Sequence, residues 1–523
     1  MPKVKLYDTT LRDGAQGEGI SYSVMDKVNI ARELDRLGIQ YIEGGWPGAN
    51  PKDMEFYLKM SKLKLKNSQL TAFSMTRRIN TRASLDANIK SLVKSQAKII
   101  TIVGKTWDLH VTDVLKATLS ENLEMISDTV SFLVSKGLTV FYDAEHFFDA
   151  YRSNQGYALK TLLAAQDAGA RAICLCDTNG GALTSEISRI IAEIKSKIHV
   201  SLGIHCHNDA GLAVANSLVA VEAGCDMVQG TINGIGERCG NADLIPIIAN
   251  LELKMGINCL PDDKLRELTH VSHFVSEISN IKQRADQPYT GESSFAHKGG
   301  MHINAIMKNP RTYEHIDPVL VGNHRRILVS ELAGKTGVLI RARELDLDLN
   351  KGDAKAKKIL KSIQKLEHAG YHFEAAEGSF ELLMKRAFKK YKKFFDLEGF
   401  RVVIEKKTNN KVTTEAIIRL KVRGIKEHTA ADGDGPVNAL DNALRKALKD
   451  FYPTLAKMRL SDFKVRVLDE KAGTAARVRV LIQSQDGLNS WNTIGVSENI
   501  IEASWQALVD SVEYKLLKDN VKC

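Results

Sequence analysis

No stretch of this 523-residue chain stays apolar for the ~20 residues that a bilayer-spanning helix requires, which argues against a membrane role. The opening "MPKVKLYDTT" has no apolar segment of 7 to 15 residues and no small-residue cleavage site, so it does not read as a secretory signal, and a cytoplasmic location is expected. Cysteine is scarce: seven in the whole chain, an odd number without framework spacing, predict reduced thiols rather than a disulfide scaffold. Cys174 and Cys176, two apart in "AICLCDT", read as small buried hydrophobes of a strand. Low-complexity segments and internal repeats are also missing, and no Gly-rich phosphate loop follows the first strand pattern.

What is present is a globular composition, 44% hydrophobic and 26% charged. One hydrophobic core stops growing at roughly 250 to 300 residues, so two or three domains are expected. Lysine and arginine outnumber aspartate and glutamate, 73 to 63, and the resulting +10 suits an anionic partner without choosing one. "MKRAFKKYKKFF" (384–395) interleaves lysine with aromatics. Phe388, Tyr391 and Phe395 nevertheless fall at i, i+3 and i+7, which predicts an amphipathic helix packing between domains and not a nucleic-acid patch.

Eight short β-branched runs punctuate the first 250 residues: 4–8, 41–45, 70–74, 98–104, 138–144, 172–177, 200–207 and 226–232. Helical patterns lie between them; in 23–38, Val24, Val28, Ala31, Leu34 and Leu37 repeat at helical spacing up to Gly38, a C-cap signal. Near-continuous apolar strands imply a parallel sheet covered on both faces, and eight strand–helix units predict a closed (β/α)8 barrel over 1–261. Helices and irregular loops follow over 262–396 as a linking region. The last segment, 397–523, reads as a small α+β domain in the order β, β, α, β, β, β, α.

In such a barrel the chemistry sits at the strands' C-terminal ends. There the sequence places Arg12 and Asp13, Glu43, Asp143 and Glu145, Asp177 and Thr178, His205 and His207, and then Asn233, Glu237 and Asn241. Buried ionisable groups are costly unless paired or ligated, so this concentration points to a site. In "GIHCHND" the two imidazoles stand at i and i+2, on one face of a strand. They are either ordinary interior groups or two ligands of a divalent cation. The barrel brings strands one, seven and eight together, so Asp13 is positioned to add a carboxylate and Asn241 a carbonyl oxygen, which favours the cation.

"YDTTLRDGAQ", "CDTNGG", "GIHCHNDAGLAVANS" and "GTINGIGERCGNADL" resemble, in that order, the acyltransferases of the DRE-TIM metallolyase family, which includes 2-isopropylmalate, homocitrate and citramalate synthases. The resemblance extends through "FAHKGGMH" to the C-terminal domain, and "GGWPGANPKD" with "FYDAEHFFDAY" most resembles the citramalate-synthase branch. It implies a Claisen-type condensation of acetyl-CoA with a 2-oxo acid, pyruvate in that branch and 2-oxoisovalerate or 2-oxoglutarate in the others. It implies a divalent metal, Mg, Mn, Co or Zn, held by Asp13, His205 and His207 with Asn241 beside them. Arg12 would stabilise developing oxyanion charge and Thr178 would bind the substrate carboxylate. Glu145, or alternatively a mere partner of Arg12, would act in acid–base catalysis with His302 and Tyr313, linker residues that in the family reach an active site, often the partner subunit's. His297 is the competing linker histidine. The C-terminal domain would dimerise the chain and bind an amino-acid effector, isoleucine in the citramalate branch, with no nucleic acid or membrane partner. One departure stands out: many relatives carry Glu where this chain has Ala15, so no role passes to that position, and Gln16 remains only a polar neighbour. A carbon–carbon lyase on the same barrel would carry a Gly-Cys-Pro loop, which this chain lacks.

Overall fold

The computed structural model describes residues 4–328, 354–388, 391–406, 408, 411–468, 476–487 and 489–521. The chain forms two compact units, Met1–Phe295 with His315–Arg325, and Ala296–Glu314 with Arg326–Cys523. Among the described residues no helix is long and apolar enough to cross a membrane.

The first unit is a closed parallel barrel of β1 (Lys5–Asp8), β2 (Tyr41–Glu43), β3 (Gln69–Met75), β4 (Ile99–Lys105), β5 (Thr139–Glu145), β6 (Ala172–Asp177), β7 (Ser201–Cys206) and β8 (Met227–Gly230). Closure is made by β1, whose Lys5 to Asp8 run beside Met227 to Gly230 of β8 while Tyr7 pairs with Tyr41 of β2. The (β/α)8 expectation is borne out. The helix Val24–Leu37 shows why the local pattern works: Ser23 and Asp26 form a reciprocal capping box, Gly38 takes the left-handed φ of 104° that ends it, and Val28, Ala31, Leu34 and Leu37 face the core. Apolar packing fills the layer between strands and helices, and a smaller cluster of Tyr7, Ile99, Phe141, Cys174, Cys176 and Met227 plugs the barrel's interior. The helix Leu268–Ile278 packs on Val24–Leu37 and belongs to this first unit.

The second unit begins with two-residue strands β9 (Ala296–His297) and β10 (Arg326–Ile327), paired in parallel, and the helix Gly300–Lys308. After the helices Ala354–His368 and Glu377–Ala387, the chain makes two antiparallel three-stranded sheets, each followed by a helix. The first is β11 (Asp396–Lys406), β12 (Val412–Val422) and β13 (Ile425–Gly433) with helix Pro436–Leu448; the second is β14 (Arg459–Val467), β15 (Val478–Gln485) and β16 (Ser490–Ser497) with helix Ile500–Lys518. One core joins both halves, with Ile418 and Leu420 from β12, Val480 and Ile482 from β15, and Leu444 and Leu508 from the helices.

Two expectations are corrected here. The order is β, β, β, α twice over: β13 was missed because no residue of "IKEHTAADG" is fully buried, and the strand is defined by its antiparallel pairing with β12. The predicted helix over 384–395 stops at Ala387, and residues 391–395 are non-helical. Phe394 and Phe395 are buried instead in the C-terminal core, and Tyr452 donates its hydroxyl proton to the Phe394 carbonyl at 2.8 Å.

Candidate active site and metal centre

The turn after β1 folds back on itself, with the Asp13 amide donating to the Thr9 carbonyl at 2.9 Å, and so points Asp13 into the barrel mouth. His205 projects from β7, and His207, one residue past that strand, forms an isolated antiparallel bridge with Asn241 after β8. Asp13 Oδ2 lies 3.4 Å from His205 Nε2, and one donor atom each from Asp13, His205 and His207 fall within 4.8 Å of one another. Gly236, at φ 159°, presses against Asn241, and a Cβ there would strike the Asn241 amide nitrogen, which is why the loop needs glycine at that point.

The electrostatics suit a cation. Burial pushes the Asp13 carboxyl up, but Arg12 and the two histidines outweigh it and hold it below the usual range. Burial drives both imidazoles toward the neutral form, His207 down to about 4. His205 Nδ1 sits 3.0 Å from Gln229 Oε1, and Gln229 Nε2 donates to Asp143 Oδ1 at 3.0 Å, so Nε2 is the nitrogen turned to Asp13. Two buried atoms of this corner, His207 Nδ1 and Asn241 Oδ1, have no hydrogen-bond partner among the described residues. Neutral nitrogens, one carboxylate and unsatisfied buried acceptors are a donor set that fits a divalent cation of the Mg, Mn, Co or Zn group.

Below and beside this cluster lies a buried floor. Arg12 Nε donates to Glu43 Oε2 at 2.6 Å, and Thr9 and Tyr7 donate hydroxyl protons to the same carboxylate at 2.5 and 2.6 Å. Arg12 NH1 also stands 3.4 Å from Asp13, and its guanidinium stacks 4.1 Å from the centre of the Phe73 ring. The alternative in which Glu145 serves as a partner of Arg12 is not what the structure shows: Arg12 pairs with Glu43 and Asp13, and Glu145 with Lys105.

The wall opposite is built on adjacent strand ends. Glu145 closes β5 and pairs with Lys105, the last residue of β4, Nζ to Oε2 at 2.5 Å. Thr178, after β6, accepts at Oγ1 from the His146 amide at 2.8 Å, which leaves its own hydroxyl proton for an acceptor in the cavity. Arg238 donates from Nε and NH2 to the two oxygens of Asp209 at 2.8 and 3.0 Å and from NH2 to the Thr178 carbonyl at 2.7 Å, tying the loops after β6, β7 and β8 together. The cavity at the barrel mouth is about 340 Å³; Asp13, Glu145, Thr178, His205 and His207 all line it.

Other candidates fall elsewhere. Asn233 turns its amide onto Ser272 and Ser276, and Asp177 accepts from the Gly181 and Ala182 amides, both fixing loops. His302 and Tyr313 belong to the second unit, where their rings stack with centroids 4.1 Å apart; His297 there meets Glu314 at 3.2 Å. Sequence reasoning passed over Lys105, Gln229 and Arg238 as site residues. A signal for Lys105 was available: it directly follows the strand pattern read over 98–104, at the end where a barrel's chemistry sits.

Comparison with known proteins places this architecture. Three family models match consecutive stretches: HMGL-like over residues 3–275, homocitrate synthase post-HMGL domain-like over 289–370, and LeuA allosteric (dimerisation) domain over 374–516. The chain is 54% identical to the (R)-citramalate synthase of Aquifex aeolicus over 520 residues, covering 99% of this chain and 98% of the relative. It is 54% identical over 521 residues to that of Geobacter sulfurreducens, with 99% of each covered. A 2-isopropylmalate synthase of Methanocaldococcus jannaschii aligns over 99% of this chain and 95% of its own length at 31% identity.

Proposed function

This chain belongs to the HMGL-like, DRE-TIM family, and from that premise we propose that it is an acyltransferase joining the acetyl group of acetyl-CoA to pyruvate, with (R)-citramalate and free CoA as products. The observation that carries the chemistry is the Asp13, His205 and His207 cluster at the barrel mouth. The choice of pyruvate follows the 54% full-length likeness to (R)-citramalate synthases against 31% to the 2-isopropylmalate synthase.

In this reading Asp13, His205 and His207 would hold a divalent cation, with Asn241 beside them. The cation supplies Lewis acidity to the oxo acid's carbonyl. Glu145 removes a proton from the acetyl methyl, leaving the C–H electron pair as the thioester's enolate, which then forms the new bond to the keto carbon. The keto oxygen gains negative charge and then a proton; Arg12, fixed by Glu43, offers a permanent cation to that charge. Thr178 donates to the oxo acid's carboxylate. Water then adds to the thioester carbon, the C–S bond breaks, and CoA leaves as the thiol. His302 and Tyr313 are the remaining acid–base candidates. We assign homodimer formation and isoleucine binding to the segment over 374–516, which matches the allosteric family model.

A thiol-release assay with pyruvate, 2-oxoisovalerate and 2-oxoglutarate tests the substrate. Turnover at least tenfold faster with pyruvate is expected; a preference for either larger oxo acid overturns the assignment. Calorimetry with isoleucine tests the effector, and absence of heat at millimolar isoleucine removes it.

A further inference from the structure

Lys105 takes no part in the reading above, and its placement gives it one. We propose that Lys105 is a positioning residue for proton abstraction, orienting the Glu145 carboxylate and balancing its charge before and after the methyl proton is taken. The inference rests on Glu145 being the base.

The pairing follows from the barrel's register. Strands β4 and β5 run in parallel with Lys105 directly opposite Glu145, each the last residue of its strand, so both side chains emerge at the same height into the cavity. Their charged ends meet at 2.5 Å with side-chain exposures of 19% and 23%. The Lys105 backbone is itself held, its carbonyl accepting from Asn122 Nδ2 at 2.8 Å. The neighbouring cations are engaged elsewhere: Arg12 with Glu43 and Asp13, Arg238 with Asp209. Among the described residues Lys105 is thus the cation recorded against this carboxylate.

Two consequences follow. A glutamate on a cavity wall samples several rotamers, and a fixed ammonium partner removes all but those aimed along the pair, which raises the fraction of encounters in attack geometry. When the methyl proton moves to a Glu145 oxygen, the carboxylate becomes neutral and the electron pair appears as enolate charge a few ångströms away. Lys105 keeps its charge and then faces that enolate, so the negative charge is neutralised on both sides of the step without solvent reorganisation.

The test uses full-length enzyme with metal: Lys105→Met, Lys105→Arg, Glu145→Gln and the Met/Gln double variant. The readouts are kcat, KM for pyruvate, and the isotope effect on kcat with methyl-deuterated acetyl-CoA. Metal affinity by calorimetry and the denaturation midpoint report the fold. The expectation for Lys105→Met is a kcat about 10²-fold lower, a larger isotope effect and KM within twofold, with partial recovery in Lys105→Arg and, on the Glu145→Gln background, no further loss when Lys105→Met is added. Should Lys105→Met disturb the fold, Lys105→Gln gives the same comparison. A kcat within threefold of wild type overturns the proposal, as does a tenfold rise in KM for pyruvate at unchanged kcat, which would make Lys105 an anchor for the substrate's carboxylate. If Glu145→Gln alone retains kcat within threefold, the base assignment itself fails, and the single variant shows which of the two inferences is lost.

Discussion

The barrel mouth contains two cation–carboxylate pairs built to opposite standards. On the floor, Arg12 and Glu43 are 16% and 0% exposed, and Glu43 collects two further hydroxyl donors; on the wall, Lys105 and Glu145 are 19% and 23% exposed and rest on each other. A carboxylate sealed under protein can be tolerated only if every lone pair is used, and once satisfied it has little freedom left to accept a proton from substrate. A carboxylate left a fifth open to the cavity gives up that security and gains access. In the proposed reaction the floor sets geometry and the wall carries the movable proton, a division that matches their burial.

The sharpest break of that contrast comes from Asp13, which stands beside the floor and pairs with its Arg12. Asp13→Ala should lower thiol release about 10³-fold, since a lost Lewis acid removes several kcal/mol of transition-state stabilisation, and should abolish calorimetric metal binding. Removing the two carboxylates in turn compares floor and wall directly. Glu43→Ala leaves the largely buried Arg12 with only its longer 3.4 Å pair to Asp13 and should cost about 3 kcal/mol by chemical denaturation, whereas Glu145→Ala should cost less than about 1 kcal/mol while losing activity.

A pH titration reaches the floor from another side. Burial pushes Asp8, whose oxygens accept from the Thr10 amide and hydroxyl, up to about 7 from an ordinary 3.8. The folded state then binds this proton more tightly than the unfolded chain does, so stability is fullest below about pH 4, falls as pH rises toward about 7, and levels off above. The whole fall attributable to this group is on the order of 4 kcal/mol at most, and Asp8→Asn should flatten that part of the stability curve. The smallest effect belongs to the wall: Thr178→Val should raise KM for the oxo acid roughly tenfold, the worth of about one hydrogen bond to a charged acceptor, with the denaturation midpoint unchanged.

How much of this was legible beforehand depended on range. The eight barrel strands could be read because a parallel strand buried on both faces is apolar throughout, and Asp13, His205 and His207 could be read because strand ends in a barrel have an assigned place. Edge strand β13 was not, since pairing to β12 makes it a strand and its own side chains are polar or half exposed. The helix expected over 384–395 failed for the converse reason: Phe388, Tyr391 and Phe395 have helical spacing, but Phe395 with its neighbour Phe394 is claimed by the C-terminal core. Glu43 under Arg12 and Lys105 beside Glu145 also escaped, because neither pairing has any signature in sequence separation.

Residue order alone determined the strand–helix alternation, the (β/α)8 class and which residues stand at strand ends, because periodicity and capping are local and act within a few residues. Tertiary structure alone decided which charge meets which, how deeply each pair is sealed and which polar atoms are left without a protein partner. Those outcomes depend on β-sheet register and on burial, and both are properties of chain segments far apart in sequence that come into being only when the barrel closes.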